Sequence, residues 1–411
     1  MPSFLQSRFS PLKYPHYRKY YFVQLISLVG TWSHDLARAW LILSLAEKSV
    51  ALGGVLLTTA IPAMIFLIPG GTLVDRSNPK RTLIVTKTLL GLSALLLAYL
   101  TEFSHITYLQ LLFFAFFEGL VGAFDFPALQ TVASRLLPKE ELQQVIALNA
   151  TNFHMSRALG PLVAGLLLAW HGPSVVFFLD AISFFILAIA LSFINMHLNL
   201  DSKDEKKQDS LLSWNSLLSG SQYILKNKDI LYRVLQFFLS VSLLYPLSSA
   251  IFRAFFKIKF ELSAEIFGYV FSASAFGALV GAVILTVAKP RNPMNVLKAV
   301  IPLLFGLHLL LIKIENIQFL YPIMFISGIF TFLIFATVNM SLQIKVMETF
   351  RGRIGSVIGL GWLAIGPMLS FPIGWFADHV GFETSVISIS LTFLVGSAVL
   401  AYLNQRITDH K

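Results

Sequence analysis

Cysteine is absent from this 411-residue chain, so disulfides, thiolate metal sites and cysteine nucleophiles are excluded together. Charge is scarce as well. Only 13% of the residues are charged and 56% are hydrophobic, whereas an average soluble domain is about 25% charged. A water-soluble fold needs a polar skin, and this composition cannot supply one; lipid is the expected solvent for most of the surface. Motifs that carry chemistry are also missing. There is no GxxxxGK[ST] phosphate loop, no HExxH zinc pair and no GxSxG nucleophile elbow. That argues against an ATP-driven pump and against a hydrolase. The chain is not expected to be an enzyme, and neither a cofactor nor a bound metal is expected.

What the chain does have is apolar runs of membrane length. A span needs about 20 mostly apolar residues, because each helical residue rises about 1.5 Å and the hydrocarbon is about 30 Å thick. Twelve runs are read, at 20–46, 53–74, 82–99, 108–129, 142–170, 175–195, 230–256, 266–288, 296–312, 317–344, 354–376 and 384–403. They are continuous, unlike the alternating strands of about ten residues in a barrel. The expected fold is an all-α integral membrane protein, with twelve transmembrane helices in two pseudo-symmetric six-helix bundles around a central cavity. Residues 1–196 would form the first bundle and 230–411 the second, with 197–229 a cytoplasmic linker. The linker run Asp201-Ser-Lys-Asp-Glu-Lys-Lys-Gln-Asp209 reads as solvated, and residues 211–225 after it as an amphipathic surface helix. No cleavable signal peptide is expected, because residues 1–19 are polar and basic and the first apolar run is long.

Net charge is +10, and the basic residues report topology. With the N-terminus inside, 24 of the 31 Lys and Arg fall on inside segments and 5 outside, with Arg38 and Arg157 within spans. That bias places both termini in the cytoplasm of a multi-pass bacterial inner-membrane protein. Arg253, Lys257 and Lys259, outside, are the local exception. The basic excess is therefore not read as nucleic-acid binding. The halves also echo each other: Gly160-Pro161, Gly165 and Gly172 in and after the fifth span, Gly366-Pro367, Gly374 and Gly381 in and after the eleventh. Internal repeats of this kind are the usual construction of a transporter that rocks about a central site.

Charges inside the bilayer carry the functional signal, since each costs about 2.5–3.5 kcal/mol at a helix centre on insertion scales. Asp35 and Arg38 in the first span are three apart and can pair; they form either a structural ion pair or a cavity-facing pair that solute or proton splits. Glu118 in the fourth span has no opposite charge within a turn of its own helix, which makes it the first expected proton site, with Asp35 second. A neutral Glu118 hydrogen-bonded to a neighbouring helix is the alternative. The fifth span is strongly polar, with Asn149, Asn152, His154, Ser156 and Arg157. Arg157 cannot shed its proton and needs an anion: Glu118, Asp35 or the solute. His154 is of the type that titrates near physiological pH, or it makes a helix contact. Asp180 and His308 look isolated and structural. The second half offers Gln236, Tyr245, Arg253, Asn339 and Gln343 as milder polar candidates.

Between the second and third spans the chain reads Gly70-Gly71-Thr-Leu73-Val-Asp75-Arg76-Ser-Asn-Pro79-Lys80-Arg81. This is similar to the GxLxDRxxxRR signature loop of the major facilitator superfamily, with Pro79 where a basic residue is common. Phe126-Pro127, Leu137-Pro138-Lys-Glu-Glu-Leu142, Ala147-Leu148-Asn149, Arg157-Ala-Leu-Gly160-Pro161-Leu-Val-Ala-Gly165 and Arg351-Gly352-Arg353 resemble the branch of that superfamily that holds enterobactin-type siderophore exporters and macrolide efflux proteins. The resemblance implies proton-driven export of a small amphipathic organic solute by alternating access, by a monomer whose partners are that solute, protons and the lipid bilayer. It also implies a cytoplasmic gate of Gly71, Asp75, Arg76, Lys80 and Arg81 closing on Asp125, helped by Arg351 and Arg353. Gly160, Pro161 and Gly165 would let the fifth helix flex. Arg38, His154, Arg157, Asn152, Gln236 and Asn339 are the expected solute contacts. Multidrug efflux, siderophore import and lysophospholipid translocation are the competing readings.

Overall fold

A computed structural model describes residues 9–194, 214–290 and 292–409. All regular structure among them is helical. In chain order the long helices are α1 (Pro15–Ala46), α2 (Ser49–Arg76), α3 (Pro79–Phe103), α4 (Tyr108–Arg135), α5 (Leu142–His171) and α6 (Pro173–Phe193). After the surface helix α7 (Trp214–Lys226) come α8 (Lys228–Lys259), α9 (Ala264–Ala288), α10 (Pro293–Ile312), α11 (Leu320–Lys345), α12 (from Glu348–Leu360 through Gly366–Val380) and α13 (Phe382–Asp409). Each apolar run read from the sequence coincides with one of these helices. Ten helices of the described residues are long and apolar enough to cross a membrane. Helices α1 and α5, of 32 and 30 residues, are not among the ten. They carry His34, Asp35, Arg38, His154 and Arg157.

Local sequence sets the helix ends. Proline opens α1, α3, α6 and α10, where its missing N–H costs nothing. Asn78 caps α3 by accepting from the Lys80 and Arg81 amides, and Thr107 with Gln110 forms a reciprocal capping box at α4. Gly172 and Gly381 end α5 and α12 at φ 79° and 89°, in the region glycine alone enters freely. The echo between the fifth and eleventh spans therefore includes the same turn chemistry.

The two sets of helices, α1–α6 and α8–α13, meet along α2–α12 and α5–α9. Small residues allow the approach. A side chain on Gly53 would strike the backbone of Ser370 and Phe371, and one on Gly374 that of Ser49 and Val50. A Cβ on Gly165 would sit 2.9 Å from the Gly268 Cα. Polar contacts join the sets at the same end, the end that holds the α1–α2 turn. Both carboxylate oxygens of Asp378 accept the first amides of α2, Ser49 N at 2.9 Å and Val50 N at 2.8 Å. This carboxylate compensates donors that a helix start leaves unpaired. Lys257 donates to Ser44 Oγ at 2.6 Å and stands over the Trp40 ring.

At the opposite end the contacts found stay within a set. Ser10 bonds Glu141, Lys80 Nζ donates to the Ser192 and Ile194 carbonyls, and Lys345 pairs with Asp229. There α7 packs on the start of α12, with Tyr223 stacked on Phe350 at 4.1 Å between centroids. The expected amphipathic helix is thus present from Trp214, and residues 211–213 and the charge run lie outside the described residues.

Two π-helical turns, Leu247–Ile251 in α8 and Gly361–Ile365 in α12, face each other's helices. An extra residue in a turn rotates the remainder of the helix by about 100°, and such turns cluster at functional sites. The turn in α8 precedes Arg253, which points inward rather than to the outside loop read from the sequence.

Gly165→Ala is expected to cost about 1–3 kcal/mol of stability through overpacking, read as a lower melting temperature in detergent. Gly122→Ala, at a helical glycine with nothing within 4 Å, is expected to raise it slightly, because alanine is the better helix former.

Candidate solute and proton site

The polar face of α1 sets the site. His34, Asp35 and Arg38 lie within two turns and reach three different helices. Arg38 donates to Glu118 of α4, and its other terminal nitrogen lies 3.7 Å from Asp35. Asp35 accepts from Arg253 of α8 at 2.7 Å. His34 sits between Asp180 of α6, at 3.0 Å from Nδ1, and Glu118, at 3.4 Å from Nε2. Ser183 bonds Asp180 from the next turn. The result is one chain of charges, Asp180–His34–Glu118–Arg38–Asp35–Arg253, running from deep inside the first set of helices to the second. His34 and Asp180 are 6% and 1% exposed, whereas the Asp35 side chain is 27% exposed. The chain is dry at one end and open at the other.

Several expectations need correction on this geometry. Glu118 is not a lone carboxylate: Arg38, 80 positions earlier in the sequence, is its counter-ion. Asp180 is not isolated, because His34 binds it. Asp35 and Arg38 do approach, but the shorter partner of each lies on another helix. His308 is buried and bonds Ser390 at 2.8 Å, the structural role expected of it. Asn152 and Gln236, expected to meet solute, are buried in helix contacts instead. Asn152 holds α5 to α1 through the Tyr21 carbonyl, and Gln236 holds α8 to α13 through Ser397. Asn339 is exposed on α11. His154 is half-buried, its ring edge-on to Phe153 and Phe332.

Arg157 stands apart from the chain of pairs. It is half-buried on α5, with its guanidinium 5.7 Å from the centre of the Trp32 ring. It lies within electrostatic reach of Tyr245, Arg253 and Asp35. No carboxylate comes within salt-bridge distance of it among the described residues. Both anions offered to it by the sequence are taken, Glu118 by Arg38 and Asp35 by Arg253.

The gate residues are spread over the end opposite the α1–α2 turn. Asp125 is buried and pairs with Lys87 of α3 at 2.8 Å, with Thr86 on its other oxygen. Among the described residues its side-chain partners are both on α3. Gly71 is buried, Arg76, Arg81 and Arg351 are exposed, and Arg353 lies over the Phe350 ring. The Asp75 side chain lies outside the described residues. Gly160 carries the carbonyl that accepts from Ser33, packs against Trp32, and α5 continues unbroken through Pro161 to Gly165. Lys87 and His34 were missed as site residues, and Arg253 stood only among the milder candidates. Arg253 reads from the sequence as part of an outside cluster, and His34 carries no signal beyond its place one residue before Asp35.

Removing one partner of a buried ion pair leaves an uncompensated charge and costs more than removing both. Arg38→Ala and Glu118→Gln are each expected to lower stability. Combined, they should recover about 1–3 kcal/mol relative to additivity, read as a double-mutant cycle of unfolding in detergent.

The profile of the transmembrane secretion effector family matches residues 6–411. The staphyloferrin A transporter of Staphylococcus aureus is 22% identical over 95% of this chain and 96% of its own length. The enterobactin exporter EntS of Shigella flexneri is 23% identical over 66% of this chain and 62% of its own length. The multidrug efflux pump Tap of Mycolicibacterium fortuitum is 22% identical over 93% of this chain and 94% of its own length. In fold, the chain is similar to a bacterial homolog of the human lysosomal transporter Spinster, with a TM-score of 0.73 at 13% identity over 96% of this chain and 97% of that one. A polar chain in the middle of an apolar helical bundle, on a fold shared with transporters, thus meets a sequence match along nearly its whole length: the chain belongs to the transmembrane secretion effector family, in the enterobactin-exporter and efflux branch of the major facilitator superfamily.

Proposed function

We propose that this protein is a proton-coupled secondary transporter that exports a small amphipathic organic molecule, a siderophore before others, by alternating access. The observation that carries the reading is Arg157. A guanidinium cannot be neutralised by losing its proton, and one without a carboxylate among the described residues is placed to take an anionic group of the solute. It lies between α1 and α8, on the boundary of the two helix sets, beside Trp32 and Tyr245. An anionic group on Arg157 with a flat apolar portion against the nearby rings fits this surface. His154, three residues earlier on α5, lies beside it. Protons exchange on the ionic chain that includes Glu118 and Asp35, where a change of pairing alters charge without a metal or nucleotide. Two of the relatives' names, a staphyloferrin A transporter and an enterobactin exporter, support a siderophore.

Twelve crossings in two six-helix halves, 1–196 and 230–411 around the 197–229 linker, fit the helix order. The 24-to-5 bias of basic residues supports cytoplasmic termini in the bacterial inner membrane. With that orientation the Asp378 and Lys257 contacts close the outside, and the signature loop with Asp75, Arg76, Lys80, Arg81, Arg351 and Arg353 closes the inside in the opposite state. Asp125 supports that loop through α3. Gly160, Pro161 and Gly165 form the surface on which α5 slides. The protein works as a monomer.

Multidrug efflux is the second reading, favoured by the aromatic rings of Phe153, Phe332, Phe335 and Trp362, which accept varied flat molecules. A binding screen of siderophores, macrolides and lysophospholipids on the purified protein separates the readings. Arg157→Ala is expected to weaken binding of an anionic siderophore at least tenfold, with Arg157→Lys intermediate. Equal affinity for all three proteins removes Arg157 from the solute site.

A further inference from the structure

We propose that His34 is the proton-carrying residue of the transport cycle, with Asp180 as its fixed partner and Glu118 as a carboxylate it shares with Arg38. The inference rests on the proton-coupled reading above and names the atom that reading leaves open.

Three observations support it. The first is the geometry of the ring. Nδ1 is hydrogen-bonded to Asp180 Oδ2 at 3.0 Å, while Nε2 lies at ion-pair distance from Glu118 Oε1, 3.4 Å, without a hydrogen bond. A neutral imidazole has one N–H and one lone pair. With carboxylate oxygens on both sides, one nitrogen would then set its lone pair against an anion. The imidazolium, with two N–H donors, makes both contacts favourable, so the three groups together hold one exchangeable proton.

The second is the charge count. The groups that face this site are Asp35 and Arg38 on α1 itself, Glu118 on α4, Asp180 on α6, and Arg253 with Tyr245 on α8; Arg157 and His154 on α5 lie beyond. Asp35 is held by Arg253 and Glu118 by Arg38. That leaves Asp180, 1% exposed, with His34 as its one charged partner among the described residues. A buried carboxylate without a counter-charge is strongly unfavourable, and a proton on His34 supplies that charge.

The third is the connection to the moving part. His34 precedes Asp35, which bonds Arg253 on the other helix set, at the end where the sets touch. When that seam parts, Arg253 leaves Asp35. Asp35 already stands 3.7 Å from Arg38 and competes with Glu118 for it. The cation facing Glu118 therefore depends on whether the seam is open, and the hold of His34 on its proton depends on Glu118. The step moves a proton from water on one side to a His34 ring nitrogen, and from that nitrogen to water on the other side. No other bond is made or broken.

The test uses the full chain. In nanodiscs at pH 7, nitrogen-15 NMR of histidine-labelled protein is expected to show one ring with both nitrogens protonated. That signal is lost in His34→Gln and reverts to a single N–H form in Asp180→Asn. In proteoliposomes holding a trapped pH dye, enterobactin or erythromycin serves as the probe, whichever the purified protein binds. In His34→Gln the number of protons moved per probe molecule is expected to fall at least tenfold. A neutral His34 ring in the wild type overturns the proposal, as does a His34→Gln protein that moves the wild-type number of protons per probe molecule. Wild-type protein that exchanges the probe and moves no protons overturns the coupling reading instead.

Discussion

The arrangement depends on one constraint: ions placed among apolar helices must find partners, and the partners available are on other helices. Helix α1 carries His34, Asp35 and Arg38 and satisfies each across a different interface, with α6, α8 and α4. A charge at the centre of a span costs a few kcal/mol unless paired or hydrated. Pairing across helices therefore fixes how α1, α4 and α6 sit together. The second pair in the same set, Lys87 with Asp125, does for α3 and α4 what Arg38 does for α1 and α4.

The contacts between the helix sets are of a different kind. Along α2–α12 and α5–α9 they rest on glycine and backbone, with Gly53, Gly165, Gly268 and Gly374 at the closest approaches. In lipid, apolar side chains gain little by leaving one apolar surface for another, so close backbone packing and hydrogen bonds are what hold helices together. A seam of small residues with few ions, Asp378 and Arg253 among them, can part without stranding many charges. Among the described residues the buried ion pairs around α1 and α4 lie within the first set, and Asp35 with Arg253 links them to the second.

Much of the fold was legible in the sequence. Long apolar runs are obliged to be helices in lipid, because every backbone N–H and C=O must be satisfied within the segment, and each run read at the outset is helical. The turn glycines Gly172 and Gly381 and the prolines at helix starts were likewise readable, since their conformations are local. The site was legible in composition and not in pairing. Arg157, Glu118, Asp35 and Arg38 stood out because charge is rare in these runs. Their partners did not, because Glu118 and Arg38 are 80 positions apart and Asp35 and Arg253 are 218 apart. Asn152 and Gln236 looked like solute contacts because polarity in a span reads the same whether it faces a cavity or a neighbouring helix.

The sequence by itself determined the solvent, the helices, the family and which residues would have to be explained, because composition and apolar length are properties of a linear chain. Tertiary structure alone decided who neutralises whom. It gave Glu118 to Arg38, Asp35 to Arg253 and Asp180 to His34, and so left Arg157 without a carboxylate among the described residues. Pairing energy falls with distance in space, and distance in space between residues on different helices is set by packing, which no local pattern records.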